Sequence, residues 1–164
     1  MDGATTKAPL GGEATGANPT DRGKRGTKRS LLTDGDGIPL GIVVAGANRH
    51  DSKLLEATFE AVSIDLPEPD ADHKQHLCLD KGYDYDFIRE VVQVWAYTPH
   101  IRSRGEEKQA KENNPAYKAR RWVVERTHAW FNKFRRILVR WEKKKENYLA
   151  LLHLAAFLII FNKL

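Results

Sequence analysis

Glu125 is a lone carboxylate in a cationic stretch, RWVVERTHAWFNKFRR (121–136). At about 100° per residue, Val123, Val124, Thr127, Trp130, Phe131, Phe134, Leu138 and Trp141 fall on one apolar stripe of a helix, and Glu125 points the opposite way. Arg121 stands four residues before it, His128 three after, Asn132 seven after and Arg136 eleven after, so the carboxylate sits on a polar, cationic face. Two chemistries suit that setting. One is a surface ion pair with Arg121, worth at most about 1 kcal/mol. The other is an oxygen ligand for a divalent cation in a site that also handles phosphate, and it needs at least one more carboxylate. Asp80 is a candidate, because it closes the short apolar run HLCLD (76–80). A side chain at the carboxyl end of a buried strand opens into the crevice where α/β sheets place their ligands. The alternative is an Asp that caps the Lys81-Gly82 turn.

Both residues depend on elements that the sequence pattern suggests. SLLTDGDGIPLGIVVAGA (30–47) reads as two strands around the turn Asp34-Gly35-Asp36-Gly37, whose aspartates are turn residues. The spacing of Leu54, Leu55, Thr58, Phe59 and Val62 predicts a helix, with Asp51 or Ser52 as its N-cap. A polar loop (63–75), the strand ending at Asp80, a helix over FIREVVQV, a strand at 96–101 and a polar linker (102–114) precede the Glu125 helix. YLALLHLAAFLIIF (148–161) reads as a buried helix, since its 14 residues fall short of the roughly 20 needed to span a bilayer. Residues 11–29, rich in Gly and basic side chains without a hydrophobic period, read as a loop. They are not a P-loop, because Gly23-Lys24 is followed by Arg25 instead of Ser or Thr. The order predicts an α/β sheet with helices on its faces.

With 164 residues, 41% of them hydrophobic, the chain can bury one core and is too short to expect two. Cys78 is the only cysteine, which excludes an intramolecular disulfide and any multi-cysteine zinc site and suits a reducing cytosol. MDGATTKAPLGG lacks the apolar core of a signal peptide. The net charge of +5 is unevenly spread. Residues 1–114 carry 15 Lys+Arg against 19 Asp+Glu, whereas residues 115–145 carry 11 against 2. A basic segment on a slightly acidic body is an electrostatic footprint for a polyanion, and the plainer alternative is a solvated basic helix. Arg22, Lys24, Arg25, Lys28 and Arg29 form a second basic cluster that is suited either to phosphates or to a flexible connection.

Five blocks, taken together and in order, carry a specific resemblance: DGATTKA at the start, NPTDRGKRGTKRSLLTD (18–34), GIPLGIVVAGANRHDSKLLEAT (37–58), LDKGYD (79–84) and RRWVVERTHAWFNKFRRI (120–137). They resemble bacterial insertion-sequence transposases of the IS-five-like group, within the DDE superfamily, over nearly the whole chain. The resemblance implies a ribonuclease-H-like mixed sheet flanked by helices. It assigns Asp2, Asp80 and Glu125 as catalytic metal ligands for two Mg²⁺ or Mn²⁺ ions. It also implies double-stranded DNA as partner, at element ends and at the target, with a homo-oligomer in the synaptic complex and a cytoplasmic, nucleoid-associated location without membrane contact. Arg121 matches the family's Arg four positions before the Glu. The basic residue expected seven positions after it is Asn132 here, with Lys133 one further on as a DNA contact. Arg121, Arg126, Arg135, Arg136 and Arg140 join the cluster at 22–29 as expected DNA contacts.

Such chemistry needs few protein groups. Mg²⁺ is a hard cation satisfied by carboxylate, water and phosphate oxygens, and two ions about 4 Å apart clamp the attacking and leaving oxygens of an in-line phosphoryl displacement. In related full-length enzymes the first catalytic Asp follows an upstream DNA-binding region. The expectation is therefore a partial catalytic domain over 1–164, its first strand truncated and Asp2 prone to fraying, completed by an upstream-frame product or left as a decayed fragment. Three functions follow: a transposase catalytic domain, a non-catalytic DNA-binding remnant, or a plain metal-dependent nuclease.

Overall fold

The computed structural model describes residues 1–70, 73–101 and 122–163. Four strands make one antiparallel sheet: β1 (Asp2–Lys7), β2 (Gly16–Ala17), β3 (Arg25–Thr33) and β4 (Pro39–Gly46). β3 is the centre, pairing on one edge with β1 from Asp2↔Leu31 to Lys7↔Gly26, and on the other with β2 through Gly26 and Arg25 and with β4 from Thr27 to Thr33. β5 (Gln75–Leu79) and β6 (Tyr97–Ile101) form a separate two-stranded parallel sheet. The Met1 amine joins the two sheets by donating to the Cys78 carbonyl at 3.1 Å. That contact, with Met1 only 6% exposed, holds the start of β1 in place and removes the expected fraying of Asp2.

The hairpin between β3 and β4 forms as its turn residues predict. Asp34 Oδ1 accepts from the N–H groups of Asp36 and Ile38, and Gly37 takes a positive φ of 84° that a larger residue would resist. β3 itself starts earlier than expected. Residues 25–29, read as loop, are strand, because β1 and β4 satisfy the backbone on both edges and every inward polar side chain finds a partner. Thr27, for example, donates its hydroxyl toward the carbonyls of Ala14 and Ala45. Tertiary pairing overrides the weak strand propensity of this polar run.

Successive residues of β3 serve opposite faces, as strand geometry requires. Leu31 packs with Ile42 and Val44 against Val124 and Phe131 of α3 (Trp122–Phe131) and Tyr148, Leu152 and Ile159 of α5 (Lys145–Phe161). Leu32 joins Met1, Leu55, Phe59, Leu77, Leu79, Ile88 and Val92 in a second cluster that includes α1 (Leu55–Glu60) and α2 (Asp86–Val94). Each fully buried aliphatic side chain contributes about 2 kcal/mol. α5 buries only the face carrying Tyr148, Leu152, Ala155, Ala156 and Ile159; Leu154, Phe157 and Phe161 are exposed, so this helix is half-buried where full burial was expected.

Two local expectations change. The helix carrying Glu125 ends at Phe131 instead of running to Trp141, and a turn leads into the short α4 (Arg135–Leu138). Past the turn, β1 captures the chain: Thr6 donates to the Leu138 carbonyl, Arg140 N–H donates to Lys7 O at 2.8 Å, and Val139 bridges Lys7. Leu138 and Trp141 are consequently exposed and leave the predicted stripe. At the other change, the 3-10 turn Asp51–Leu54 before α1 is capped by His50, whose ring accepts from Ser52 N–H; neither Asp51 nor Ser52 is the cap.

Candidate active site

Three carboxylates converge where β1 begins. Asp2 is its first residue, Asp51 opens the 3-10 turn after β4, and Asp80 follows β5 and caps a second 3-10 turn, Lys81–Tyr83, by accepting from Gly82 N–H at 2.9 Å. The two 3-10 turns pack on each other. The capping predicted for Asp80 is thus present, through its Oδ1. Burial pushes the Asp2 carboxyl up to about 6 against the opposing Gly3 backbone, and the charges of Asp80 and Asp51 push the same way as burial. Tyr83 is fully buried beside them. Among the described residues its hydroxyl has no hydrogen-bond partner, and burial, then Asp51, Asp2 and Asp80, raises its pKa well above the usual tyrosine range.

α3, the helix that carries Glu125, begins near the same end of the sheet. Arg126 donates to Asp36 O and Thr127 to Gly37 O, at 2.6 and 2.7 Å, which sets the start of α3 beside the β3–β4 turn. One helical turn on, His128 Nδ1 accepts from Arg29 Nε at 3.2 Å, and Asn132 Oδ1 accepts from Arg29 Nη2 at 2.6 Å. Burial and the Arg29 charge hold the His128 pKa down at about 3, with the Asp2 backbone opposing, so the ring is neutral at physiological pH. Glu125 itself is exposed. Its predicted partner Arg121 lies outside the described residues.

The expected DNA contacts divide sharply. Arg22, Lys24, Arg25, Lys133, Arg135 and Arg136 are exposed, Arg136 in an ion pair with Glu142. Arg126 is half-buried between the Trp122 and Trp130 rings. Lys28, Arg29 and Arg140 are buried, and for them the expectation of a phosphate contact is corrected. Lys28 pairs with Asp51 at 3.1 Å, Arg29 binds α3, and Arg140 donates to the carbonyls of Glu142, Ala14 and Lys143 and to the Thr27 hydroxyl. Donors spent inside the protein cannot also reach DNA. The loop after β1 brings the two basic stretches together: Glu13 N–H donates to Lys143 O, Glu13 Oε2 accepts from Lys145 N–H, and Arg25 lies along Gly11.

The donor set suits a hard divalent cation. A desolvated Asp2 carboxyl facing two like charges is a conflict that such an ion would relieve. As the side chains stand, no three His, Cys, Asp or Glu groups among the described residues are at metal-holding spacing. Asp51 and Tyr83 went unrecognised in the sequence, where Asp51 read as a helix cap and Tyr83 as part of the LDKGYD block. Nothing local distinguishes a capping Asp from one that folding turns toward Asp2.

Comparison with known proteins identifies the family. The family described as the transposase DDE domain matches residues 1–160. The chain is also 34% identical over 152 residues to a Burkholderia cepacia protein assigned as the transposase for insertion sequence element IS402, an alignment covering 92% of this chain and 70% of that protein. No solved structure matches the chain. The chain belongs to the DDE transposase family of insertion-sequence elements. Among the described residues no helix is long and apolar enough to cross a membrane.

Proposed function

We propose that this chain hydrolyses phosphodiester bonds at the ends of its element and transfers the freed strand into target DNA, on a ribonuclease-H-like core. Asp2, Asp80 and Glu125 are the acidic triad in this reading. The observation that carries it is the half-buried Asp2 carboxyl, pushed up to about 6 by desolvation and by the charges of Asp80 and Asp51 at one end of the sheet. Asp2, Asp80 and Glu125 would hold Mg²⁺ or Mn²⁺. Two such ions, when bound, supply Lewis-acid stabilisation and lower the pKa of the attacking hydroxyl. The protein's own groups do the rest. β1 and the Met1 amine fix Asp2, the Gly82 N–H orients Asp80, and neutral His128 with Arg29 anchors the helix that carries Glu125.

Exposed Arg22, Lys24 and Arg25, together with Lys143, Lys144 and Lys145, line the Lys7 end of β1. The five residue steps from Asp2 to Lys7 span about 17 Å. A duplex held by these cations would extend along β1 toward the carboxylates, its phosphates set by charge and its sequence unread by them. Pairing of two element ends calls for a homo-oligomer. The enzyme would work at the nucleoid.

The test is strand cleavage of an element-end duplex with Mn²⁺, comparing the parent chain with Glu125→Gln. The variant keeps shape and hydrogen-bonding capacity but loses the charge that a cation requires, so cleavage should fall to background while DNA binding holds or tightens. Retained cleavage would remove Glu125 from the triad. A second reading, a DNA-binding remnant without catalysis, draws on the open spacing of the carboxylates. It stands if the parent chain binds the duplex and leaves it uncut.

A further inference from the structure

We propose that a slot between β3 and β5 is a strand-addition site: it takes an extended segment of a partner polypeptide, apolar on both faces, which runs antiparallel to β3 and parallel to β5 and joins the two sheets into one. The walls are two strands. β1 pairs with β3 as far as Asp2↔Leu31, while Leu32 and Thr33 continue β3 past that point, paired with Gly41 and Pro39 of β4 on the other edge. β5 pairs with β6 along one edge, and its Cys78 carbonyl accepts from the Met1 amine at 3.1 Å. Met1 thus stands between β3 and β5, and a gap bridged by a single strand is about 10 Å wide. Beyond Met1 the gap continues as a cavity of about 360 Å³, with Thr33, Asp34 and Gly35 along one wall and Leu77, His76 and Gln75 along the other.

The register fixes the direction and length of the occupant. With Asp2 opposite Leu31, Met1 faces Leu32, and the next positions along the same line face Thr33, Asp34 and Gly35. About three extended residues, at about 3.4 Å each, cover that stretch. The edges of strands present rows of N–H and C=O groups, which an extended backbone satisfies on both sides at once and a compact ligand does not. The faces of the cavity then set the side chains. Val124 belongs to the apolar cluster on one face of the sheet, and Leu40 and Tyr97 pack against the cluster on the other. Successive side chains of an inserted strand point to opposite faces, so both sets meet apolar surface. The segment that fits is continuously apolar, as in strands buried on both faces. Its insertion continues the β1–β3 ladder on the far side of Met1 from Asp2.

The experiment titrates the isotope-labelled whole chain, without DNA or metal, with the peptide Lys-Lys-Val-Ile-Val, and follows main-chain amides by NMR and hydrogen exchange. The apolar residues enter the slot with the carboxyl end toward Met1, and the lysines stay in solvent. One control peptide carries an N-methyl group on its Ile, and another has Ser-Gly-Ser in place of Val-Ile-Val. The parent peptide should shift and protect amides within residues 32–35 and 75–78. N-methylation should weaken binding about tenfold or more through lost main-chain hydrogen bonds. The Ser-Gly-Ser peptide should leave these amides unchanged. Equal binding of the N-methylated peptide makes the slot an apolar pocket and overturns the proposal, as do shifts confined to β6 or no shift at millimolar peptide. A dimer in gel filtration whose slot amides are protected before peptide is added gives the slot to a second copy and overturns it too. The protein is the same in every arm, so no outcome turns on the folding of a variant.

Discussion

Residues 22–29 and 133–145 are both rich in Arg and Lys, and the fold treats them in different ways. The first stretch starts exposed at Arg22, Lys24 and Arg25 and then becomes the central strand of a sheet covered on both faces, so Lys28 and Arg29 are drawn inside. The second runs over the surface from Lys133 to Lys145, and of its cations only Arg140 turns inward, to 0% exposure. Charge density therefore says little about DNA contact until neighbours are known. An inward Arg spends its five donors on protein acceptors, whereas an outward one keeps them for phosphate.

The comparison breaks most visibly at Arg140. Arg140→Ala should cost about 4 kcal/mol or more in urea unfolding, because it opens a cavity and strips partners from the carbonyls of Glu142, Ala14 and Lys143 at once. A loss under 1 kcal/mol would place this residue with the surface cations.

The Arg29–His128 contact makes the buried stretch sensitive to acid. His128 titrates near 3 in the fold and near 6.5 when unfolded, so its contribution is complete above pH 6.5 and is lost as pH falls toward 3. Over that window the loss is roughly 3–4 kcal/mol. Asp2 acts with the opposite sign. Its folded value is raised to about 6, so its contribution is present below the unfolded pKa and is lost as pH rises through 6, which offsets part of the His128 slope between about pH 4 and 6. Urea unfolding of His128→Gln at pH 5 and pH 7 should show the His128 share removed. An unchanged pH dependence would mean that the ring is protonated in the fold.

Gly3→Ala probes the carboxylate end with a smaller change. The new methyl group must displace Asp51 Oδ1, at a cost of about 1–3 kcal/mol, visible as a lower urea midpoint. The outward cations should give the smallest effect on stability and the clearest effect on DNA. Replacing Arg22, Lys24 and Arg25 by Ala should change stability by about 0.5 kcal/mol or less per site. The slope of log affinity against log salt should shrink by about 0.9 for each phosphate that the variant no longer neutralises. An unchanged slope would route the DNA elsewhere on the surface.

Much of this was legible before folding is considered. Family membership was readable from five ordered blocks, and the hairpin around Asp34–Gly37 was readable because turn chemistry is local: an Asp side chain bonds its own backbone two and four residues on. The strand ahead of Asp80 and the helix carrying Glu125 likewise follow from short-range apolar patterns. The end of that helix did not, since β1, more than a hundred residues away in sequence, draws Val139 and Arg140 out of the helical path. Nor did the inward turn of Lys28, Arg29 and Arg140, or the meeting of Asp51 with Gly3 and of Tyr83 with three carboxylates. Sequence determines local backbone preference and the kinds of side chain on offer. Burial, pairing and charge proximity are relations between distant segments, and only the tertiary structure decided them.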